Sequence, residues 1–225
     1  MSDLILYHGS SDIIEKPEYG KGKVTNDYGL GFYCTEHEDL AKEWACTDER
    51  NGYANKYSLD TTGLRFLNLS GENFTILNWI ALLLDNRKIT VPSPIGKRGM
   101  EYLHEHFLPD ISGYDVIIGY RADDSYFSFA RAFLSNTISV EQLARAMKLG
   151  KLGEQVVLKT PKAFDALRFS GYSIADRSVY YAKRKSRDDR ARAAYQKELE
   201  SEELNGLFLR DIIREEVRQN DPRLR

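Results

Sequence analysis

Strand signals and helix signals alternate along this chain without a regular βαβ period. Runs rich in β-branched and aromatic residues predict strands at 3–8, 31–34, 53–59, 64–69, 115–120 and 154–159. Apolar residues at helical spacing predict helices between them, and the segment at 74–86 is apolar on most faces and should be buried. A parallel α/β fold needs strands and helices in strict alternation, so this order favours an α+β fold.

The composition indicates one globular domain followed by a helical extension. The chain has 225 residues, of which 42% are hydrophobic and 29% charged, so it can bury a core and is unlike a disordered chain. A charge-dense segment at 183–192 leads into a polar helix, and a last amphipathic helix is predicted at 207–217. We therefore predict a domain at 1–180 and a helical C-terminal extension at 181–225 that packs on or near it.

Charge and cysteine content argue against several classes of protein. The 32 basic and 34 acidic residues give a net charge of −2, unlike a protein that coats nucleic acid with positive charge. Cys34 and Cys46 lack metal-ligand spacing, and His104 and His106 lie two residues apart on a predicted helix, so we predict no metal site. No apolar run reaches the ~20 residues of a membrane span, and the N-terminus lacks a secretory pattern, so we expect a cytoplasmic protein without membrane partners.

The first of three short motifs lies at 7–10, at the end of the first predicted strand. It reads Tyr-His-Gly-Ser. The His8 imidazole therefore stands beside Gly9, where the missing side chain lets a planar ligand approach the backbone closely. A strand end followed by a turn would explain the same residues without a ligand.

The second motif, at 29–35, reads Gly-Leu-Gly-Phe-Tyr-Cys-Thr. Thr35 is the predicted N-cap of the following helix, which carries Trp44. Tyr33 on the strand and Trp44 on the helix could face each other across a slot for a flat ring. Two aromatic residues in the hydrophobic core are the alternative interpretation.

The third motif opens an otherwise buried strand with the polar pair Glu154 and Gln155, followed by Val-Val-Leu. One of these side chains could form a hydrogen bond with a bound ligand. An exposed strand start is the alternative.

Together the three motifs resemble the His-Tyr-Glu pattern of ADP-ribosyltransferases, in the branch that includes diphtheria toxin and the poly(ADP-ribose) polymerases. The segment 29–33 is similar to that branch's Gly-x-Gly-Ile-Tyr, and Trp44 stands where the branch has its second stacking tyrosine. Over roughly residues 4–170 the chain more closely resembles a small bacterial family catalogued as a domain of unknown function. The resemblance implies a split β-sheet core with surrounding helices.

The resemblance also implies NAD as co-substrate and a role for each matched residue. His8 would bind the adenosine ribose, and the Gly9 backbone would hold the nicotinamide carboxamide. Tyr33 and Trp44 would enclose the nicotinamide ring. The same motifs supply the rest of the predicted NAD-contacting set, namely Ser10, Gly31 and Phe32. Arg121, or a lysine of the 16–25 loop, would meet the pyrophosphate through charge-assisted hydrogen bonds; the lysines are Lys16, Lys21 and Lys23.

The chain departs from the pattern at the glutamate. Alignment on the apolar run places Gln155 there, and an amide can form a hydrogen bond with a ribose hydroxyl but cannot act as a general base. Strand neighbours point to opposite faces, so a shift of one residue would exchange Gln155 for Glu154. Asp123 and Asp124 could supply the missing base or hold an acceptor, although two aspartates are also typical of a solvated turn.

The predicted function is therefore NAD-dependent mono-ADP-ribosyl transfer, without chain elongation. Two alternatives stay open: a weak or inactive module that binds NAD or ADP-ribose, and an NAD glycohydrolase. The resemblance further implies a toxin with an antitoxin partner, by analogy with bacterial members of the superfamily. The acceptor could be a protein, a nucleic acid or a small molecule.

Overall fold

The computed structural model describes residues 3–121, 124–148, 153–200 and 205–224. Its strands are β1 (Leu4–Ser10), β2 (Phe32–Cys34), β3 (Gly52–Leu59), β4 (Phe66–Asn68), β5 (Val116–Tyr120), β6 (Glu154–Leu158) and β7 (Leu167–Ala175). Its helices are α1 (Glu38–Ala45), α2 (Ile76–Asn86), α3 (Pro94–Phe107), α4 (Asp124–Leu134), α5 (Val140–Lys148), α6 (Pro161–Asp165), α7 (Arg177–Glu200) and α8 (Leu209–Arg214). This mixture of helices and open sheets confirms the predicted α+β class.

The strands of the described chain form two separate sheets. The first has the order β1-β3-β7 and is antiparallel throughout. The second has the order β2-β6-β5-β4, in which only β4 and β5 run parallel. Tyr7 and Thr35 connect the sheets through two backbone hydrogen bonds of 2.7 and 2.9 Å. The first and second motifs therefore meet where the two sheets part.

The two largest apolar clusters of the described residues hold the sheets and most of the helices together. The larger packs α2, α3, α4 and α5 on the second sheet, and Trp79, Leu103, Phe129 and Ile117 are almost fully buried in it. This explains why α2 is apolar on most faces, as predicted. A smaller cluster fills the space between the sheets, with residues such as Leu6, Tyr57 and Leu158.

Two helix starts show different local caps. Before α5, the Gln142 N–H donates to Ser139 Oγ at 3.1 Å and the Ser139 N–H donates to Gln142 Oε1 at 3.0 Å, which together form a capping box. Thr35 is not the N-cap of α1, because its backbone is paired with Tyr7 and the helix begins after His37. The Thr35 hydroxyl instead accepts a hydrogen bond from the His37 N–H.

Strand β7 lies outside the predicted elements. Its side chains alternate between exposed and half-buried positions, and only Ala175 at its end is fully buried. The apolar alternation that identifies a strand in a sequence is therefore weak here. The strands predicted at 53–59 and 64–69 belong to different sheets. Strand β3 joins the first sheet, whereas β4 pairs with β5 in the second.

The predicted C-terminal extension shares the main core. Tyr195 on α7 packs against Phe129, with ring centroids 4.0 Å apart, and Leu209 and Ile212 of α8 are fully buried. Helix α7 runs without a break through residue 180, where the predicted domain ends. The division into a domain and an extension stays a prediction. Among the described helices, none combines the length and the apolar character needed to cross a bilayer.

Candidate functional site

A cleft of about 980 Å³ opens where the two sheets part. Its lining combines the predicted NAD-contacting residues with the polar residue of β6: His8, Gly9, Ser10, Gly31, Phe32, Tyr33, Trp44 and Gln155. The register of β1, β2 and β6 thus brings all three motifs to one place, although they lie far apart in the sequence.

His8 is held in one orientation by its neighbours. Its Nδ1 lies 2.7 Å from the carbonyl oxygen of Tyr33, so Nδ1 carries the proton and donates it. Burial lowers the pKa of the imidazole, which keeps the ring neutral at pH 7 and leaves Nε2 as an acceptor. The ring also stacks on Phe32, with centroids 4.4 Å apart. A hydroxyl group is the natural partner for Nε2.

Gly9 fixes the position of the helix that carries Trp44. A Cβ atom at Gly9 would lie 2.0 Å from the backbone oxygen of Ala41, so α1 can pack directly on β1 only because this side chain is missing. Since Ala41 and Trp44 lie on the same helix, this close approach sets the distance from Trp44 to the cleft.

The Tyr33 hydroxyl is engaged by the loop before β2. It donates to the Gly29 carbonyl at 2.6 Å and accepts from the Tyr28 N–H at 3.1 Å. Gly29 has φ of +71°, a conformation that favours glycine. Burial raises the pKa of Tyr33, so the phenol stays neutral. Tyr33 therefore offers its ring to the cleft rather than an acid or a base.

Lys159, which follows β6, contacts the loop before β2 as well. Its ammonium group donates to the carbonyls of Tyr28 and Leu30, the latter at 2.5 Å. Burial lowers the pKa of Lys159 to about 8. This residue was not predicted, since nothing in the sequence connects a lysine after β6 with a loop before β2.

The Arg121 side chain lies against one face of the Trp44 indole ring. The guanidinium carbon of Arg121 lies 3.9 Å from the centroid of the indole ring, which is a close cation–π contact. A nicotinamide ring would have to stack on the other face of Trp44 or displace Arg121. Arg121 also lines the cleft, where its guanidinium group lies against Trp44, and its role toward a pyrophosphate stays a prediction.

Gln155 points into the cleft and Glu154 points outward. Gln155 is 3% exposed and pairs with Gly119 in the sheet register, whereas Glu154 is exposed and pairs with Tyr120. The Gln155 Nε2 donates to Asp27 Oδ2 at 3.0 Å and to the Tyr120 carbonyl at 3.1 Å. The structure therefore places the amide, and not the neighbouring carboxylate, in the cleft.

Asp27 is a buried carboxylate of the cleft that the sequence analysis missed. It is 4% exposed, and Arg87 donates to its Oδ1 from Nε at 2.9 Å and from Nη2 at 2.6 Å. Its Oδ2 accepts from Gln155. A single aspartate in a loop rich in glycine and lysine carries no pattern, and its place two residues before the second motif is the one available signal.

The role of the two aspartates proposed as an alternative base stays a prediction. Asp123 lies outside the described residues. Asp124 begins α4, but its side chain also lies outside the described part of the chain. The described residues hold no group of three His, Cys, Asp or Glu side chains arranged for a metal ion.

Asn55 is a further residue that the sequence did not reveal. This fully buried side chain on β3 donates to the oxygens of His8, Ser10 and Asp12 at 3.1–3.3 Å, and its Oδ1 accepts from the Ile14 N–H at 2.9 Å. The Asn55 side chain thereby connects the first motif to the loop that follows it. Residues of the motif and of the loop line the cleft.

We expect Asn55→Ala to lower the free energy of unfolding by about 2–4 kcal/mol, because it removes the four hydrogen bonds of a fully buried side chain. It should also weaken ligand binding in the cleft, measured by calorimetry with NAD. Asn78→Ala is the matched control: Asn78 is equally buried but caps α2 and donates to Phe107, outside the cleft lining. Equal losses of affinity in both variants would contradict this role of Asn55.

Comparison with known proteins identifies the family. A family model described as a protein of unknown function (DUF3990) matches residues 4–169. No curated protein matches, and neither does any solved structure. The matched region contains the cleft residues of β1, β2, α1 and β6, and it ends within β7, before the C-terminal helices. This chain is therefore a member of the DUF3990 family.

Proposed function

We propose that this protein binds NAD in the cleft and transfers a single ADP-ribosyl unit from it. The observation that carries the proposal is the convergence of His8, Tyr33, Trp44 and Gln155 on one cleft. These residues belong to three separate motifs, which together resemble the ADP-ribosyltransferase pattern. Unrelated core or surface residues would have no reason to line one cavity.

The size and charge of the cleft suit a dinucleotide. Its volume of about 980 Å³ is at the upper end of the ~300–1,000 Å³ typical of ligand pockets. Among its described lining residues, basic side chains outnumber the acidic residues Glu18 and Asp27; the basic ones are Lys16, Lys21, Lys23, Arg87 and Arg121. An anionic pyrophosphate is the part of NAD that such a lining would attract.

The remaining groups suit the uncharged parts of the same ligand. The His8 Nε2 can accept a hydrogen bond from a ribose hydroxyl, and Trp44 offers an aromatic face to a planar ring. Gln155 can accept from a second ribose hydroxyl but cannot take a proton. Without a general base at this position, the acceptor has to be nucleophilic already, which favours transfer of one unit over chain elongation.

NAD supplies the ADP-ribosyl group, which it gives up when its bond to nicotinamide breaks. The residues of this chain would hold the ribose and the ring in place and exclude water from them. The carboxylate of Asp27, next to Gln155, adds a fixed negative charge that would favour a positively charged transition state.

One observation favours a second function. A neutral Gln155, with its amide nitrogen already engaged, also suits a module that binds NAD or ADP-ribose without consuming it. The toxin role and the antitoxin partner rest on the resemblance alone.

The decisive experiment follows nicotinamide release and label transfer together. The purified protein is incubated in cell lysate, with or without ribonuclease, with NAD labelled on the adenylate. We expect nicotinamide to be released and label to appear on a macromolecule, and the ribonuclease arm separates RNA from protein acceptors. Nicotinamide without labelled macromolecules would indicate a glycohydrolase, and NAD binding without turnover would indicate the binding module. Absence of NAD binding would overturn the proposal.

A further inference from the structure

Asp27 and Gln155 form a hydrogen-bonded pair in the lining of the cleft. We propose that Asp27 is a positioning residue, which fixes the Gln155 amide so that its oxygen accepts a ribose hydroxyl of NAD. In this arrangement the carboxylate of the site belongs to Asp27, whereas the ADP-ribosyltransferase pattern has its glutamate at the position of Gln155. The proposal rests on the proposed function, because it assumes that NAD occupies the cleft.

The hydrogen bonds determine which way the amide faces. One end of the Gln155 amide lies 3.0 Å from a carboxylate oxygen of Asp27 and 3.1 Å from the carbonyl oxygen of Tyr120. Both neighbours are acceptors, so this end must be the NH₂ group and the other end the oxygen. The side chain also lines the cleft, so its oxygen is the group left for a ligand.

Asp27 is itself held in a single arrangement. Arg87 donates twice to Oδ1, which leaves Oδ2 to accept from Gln155. Arg87 is fixed in turn by Phe127, whose ring centroid lies 4.6 Å from the guanidinium carbon. Each oxygen of the carboxylate thus has a different partner. The amide is oriented by a buried charge rather than by its own rotamer preference.

The same geometry explains why position 155 holds glutamine. A glutamate in this rotamer would place a carboxylate oxygen about where Nε2 lies, 3.0 Å from Asp27 Oδ2 and facing a carbonyl. Two carboxylates at that distance cannot both stay ionised, so one would take up a proton. Glutamine has the same shape and can donate to Asp27. Its oxygen becomes a stronger acceptor when its N–H groups donate to an anion.

A stability measurement tests the pair without any ligand. We expect Gln155→Glu to melt about 5 °C or more below the wild type at pH 8, with a smaller difference at pH 5.5. The sign follows from linkage: the folded-state carboxyl pKa is raised, so stability is present at low pH and is lost as the pH rises through that pKa. The double variant Asp27→Asn/Gln155→Glu, with one carboxylate, should lose most of this pH dependence, since only the Tyr120 carbonyl still faces the carboxylate.

Turnover tests the positioning role. We expect Asp27→Asn to lower kcat for nicotinamide release about 100-fold with little change in KM, because the amide is free to turn its NH₂ group toward the cleft. The double variant should recover at least about tenfold over Asp27→Asn, since the amide introduced at position 27 can donate to the carboxylate introduced at position 155, in the mirror-image arrangement. Asp115→Asn is the control: it removes another buried carboxylate, which binds Thr160 and Arg65 outside the cleft.

The two readouts separate the possible failures. Wild-type protein without turnover or NAD binding would overturn the proposed function, while the pH-dependent melting of Gln155→Glu would still report the coupling of the pair. A Gln155→Glu variant as stable as the wild type at pH 8 would overturn the coupling itself. If Asp27→Asn lost no more turnover than Asp115→Asn, the positioning role would be wrong.

Discussion

His8→Ala is expected to weaken NAD binding at least about 30-fold, which corresponds to about 2 kcal/mol, and to abolish measurable nicotinamide release. The wild-type ring is fixed from two sides, by the Tyr33 carbonyl at Nδ1 and by the ring of Phe32. The accepting Nε2 is therefore oriented before a ligand arrives, and alanine removes both the acceptor and the flat surface. Isothermal titration with NAD measures the loss directly.

The pH dependence of binding gives the same assignment a second test. Because burial lowers the His8 pKa below its usual 6.5, binding should be constant near pH 7. It should weaken at lower pH as the ring is protonated and Nε2 becomes a donor. His104→Ala is the matched control, since His104 is an exposed histidine on α3 and outside the cleft lining. Wild-type affinity in His8→Ala, or equal losses in both variants, would show that the site is elsewhere.

The candidate site residues that local patterns can reveal lie in the first and second motifs. His8 beside Gly9, and Tyr33 after two glycines, are short-range features with a direct physical meaning, and the apolar run of α2 is one as well. The prediction that Gln155 and not Glu154 faces the cleft depended on one strand register, and the pairing of Gln155 with Gly119 now provides that register. The class of the fold followed from the order of the elements.

Long-range partners were beyond the reach of the sequence. Asp27 and Arg87 are 60 positions apart, and Asn55 reaches back over 41 positions to Ile14. Such contacts are set by tertiary packing, and no periodicity or motif records them in a single sequence. The position of Arg121 on Trp44 is of the same kind, because it leaves one face of the indole covered. The missed residues are therefore those that orient the site from outside its motifs.

The C-terminal helices supply such an orienting contact from outside the matched family region. Glu43, the neighbour of Trp44 on α1, is 3% exposed. Arg187 on α7 donates to its carboxylate from Nε at 3.0 Å and from Nη2 at 2.6 Å. A buried carboxylate without this partner would be strongly destabilising, so α7 and α1 are coupled through this ion pair.

Arg187→Ala should therefore lower the free energy of unfolding by about 3 kcal/mol, or about 6–12 °C in Tm, because it leaves the Glu43 charge buried and unpaired. Differential scanning calorimetry measures the shift, and NAD affinity should fall with it because Trp44 lies on the same helix. Arg192→Ala removes a more exposed pair with Asp188 on α7 and should cost less than about 1 kcal/mol. Glu43→Gln/Arg187→Met should recover most of the lost stability, since neither charge is then buried. A single Arg187→Ala variant as stable as Arg192→Ala would mean that α7 is not needed to hold α1 and Trp44 at the cleft.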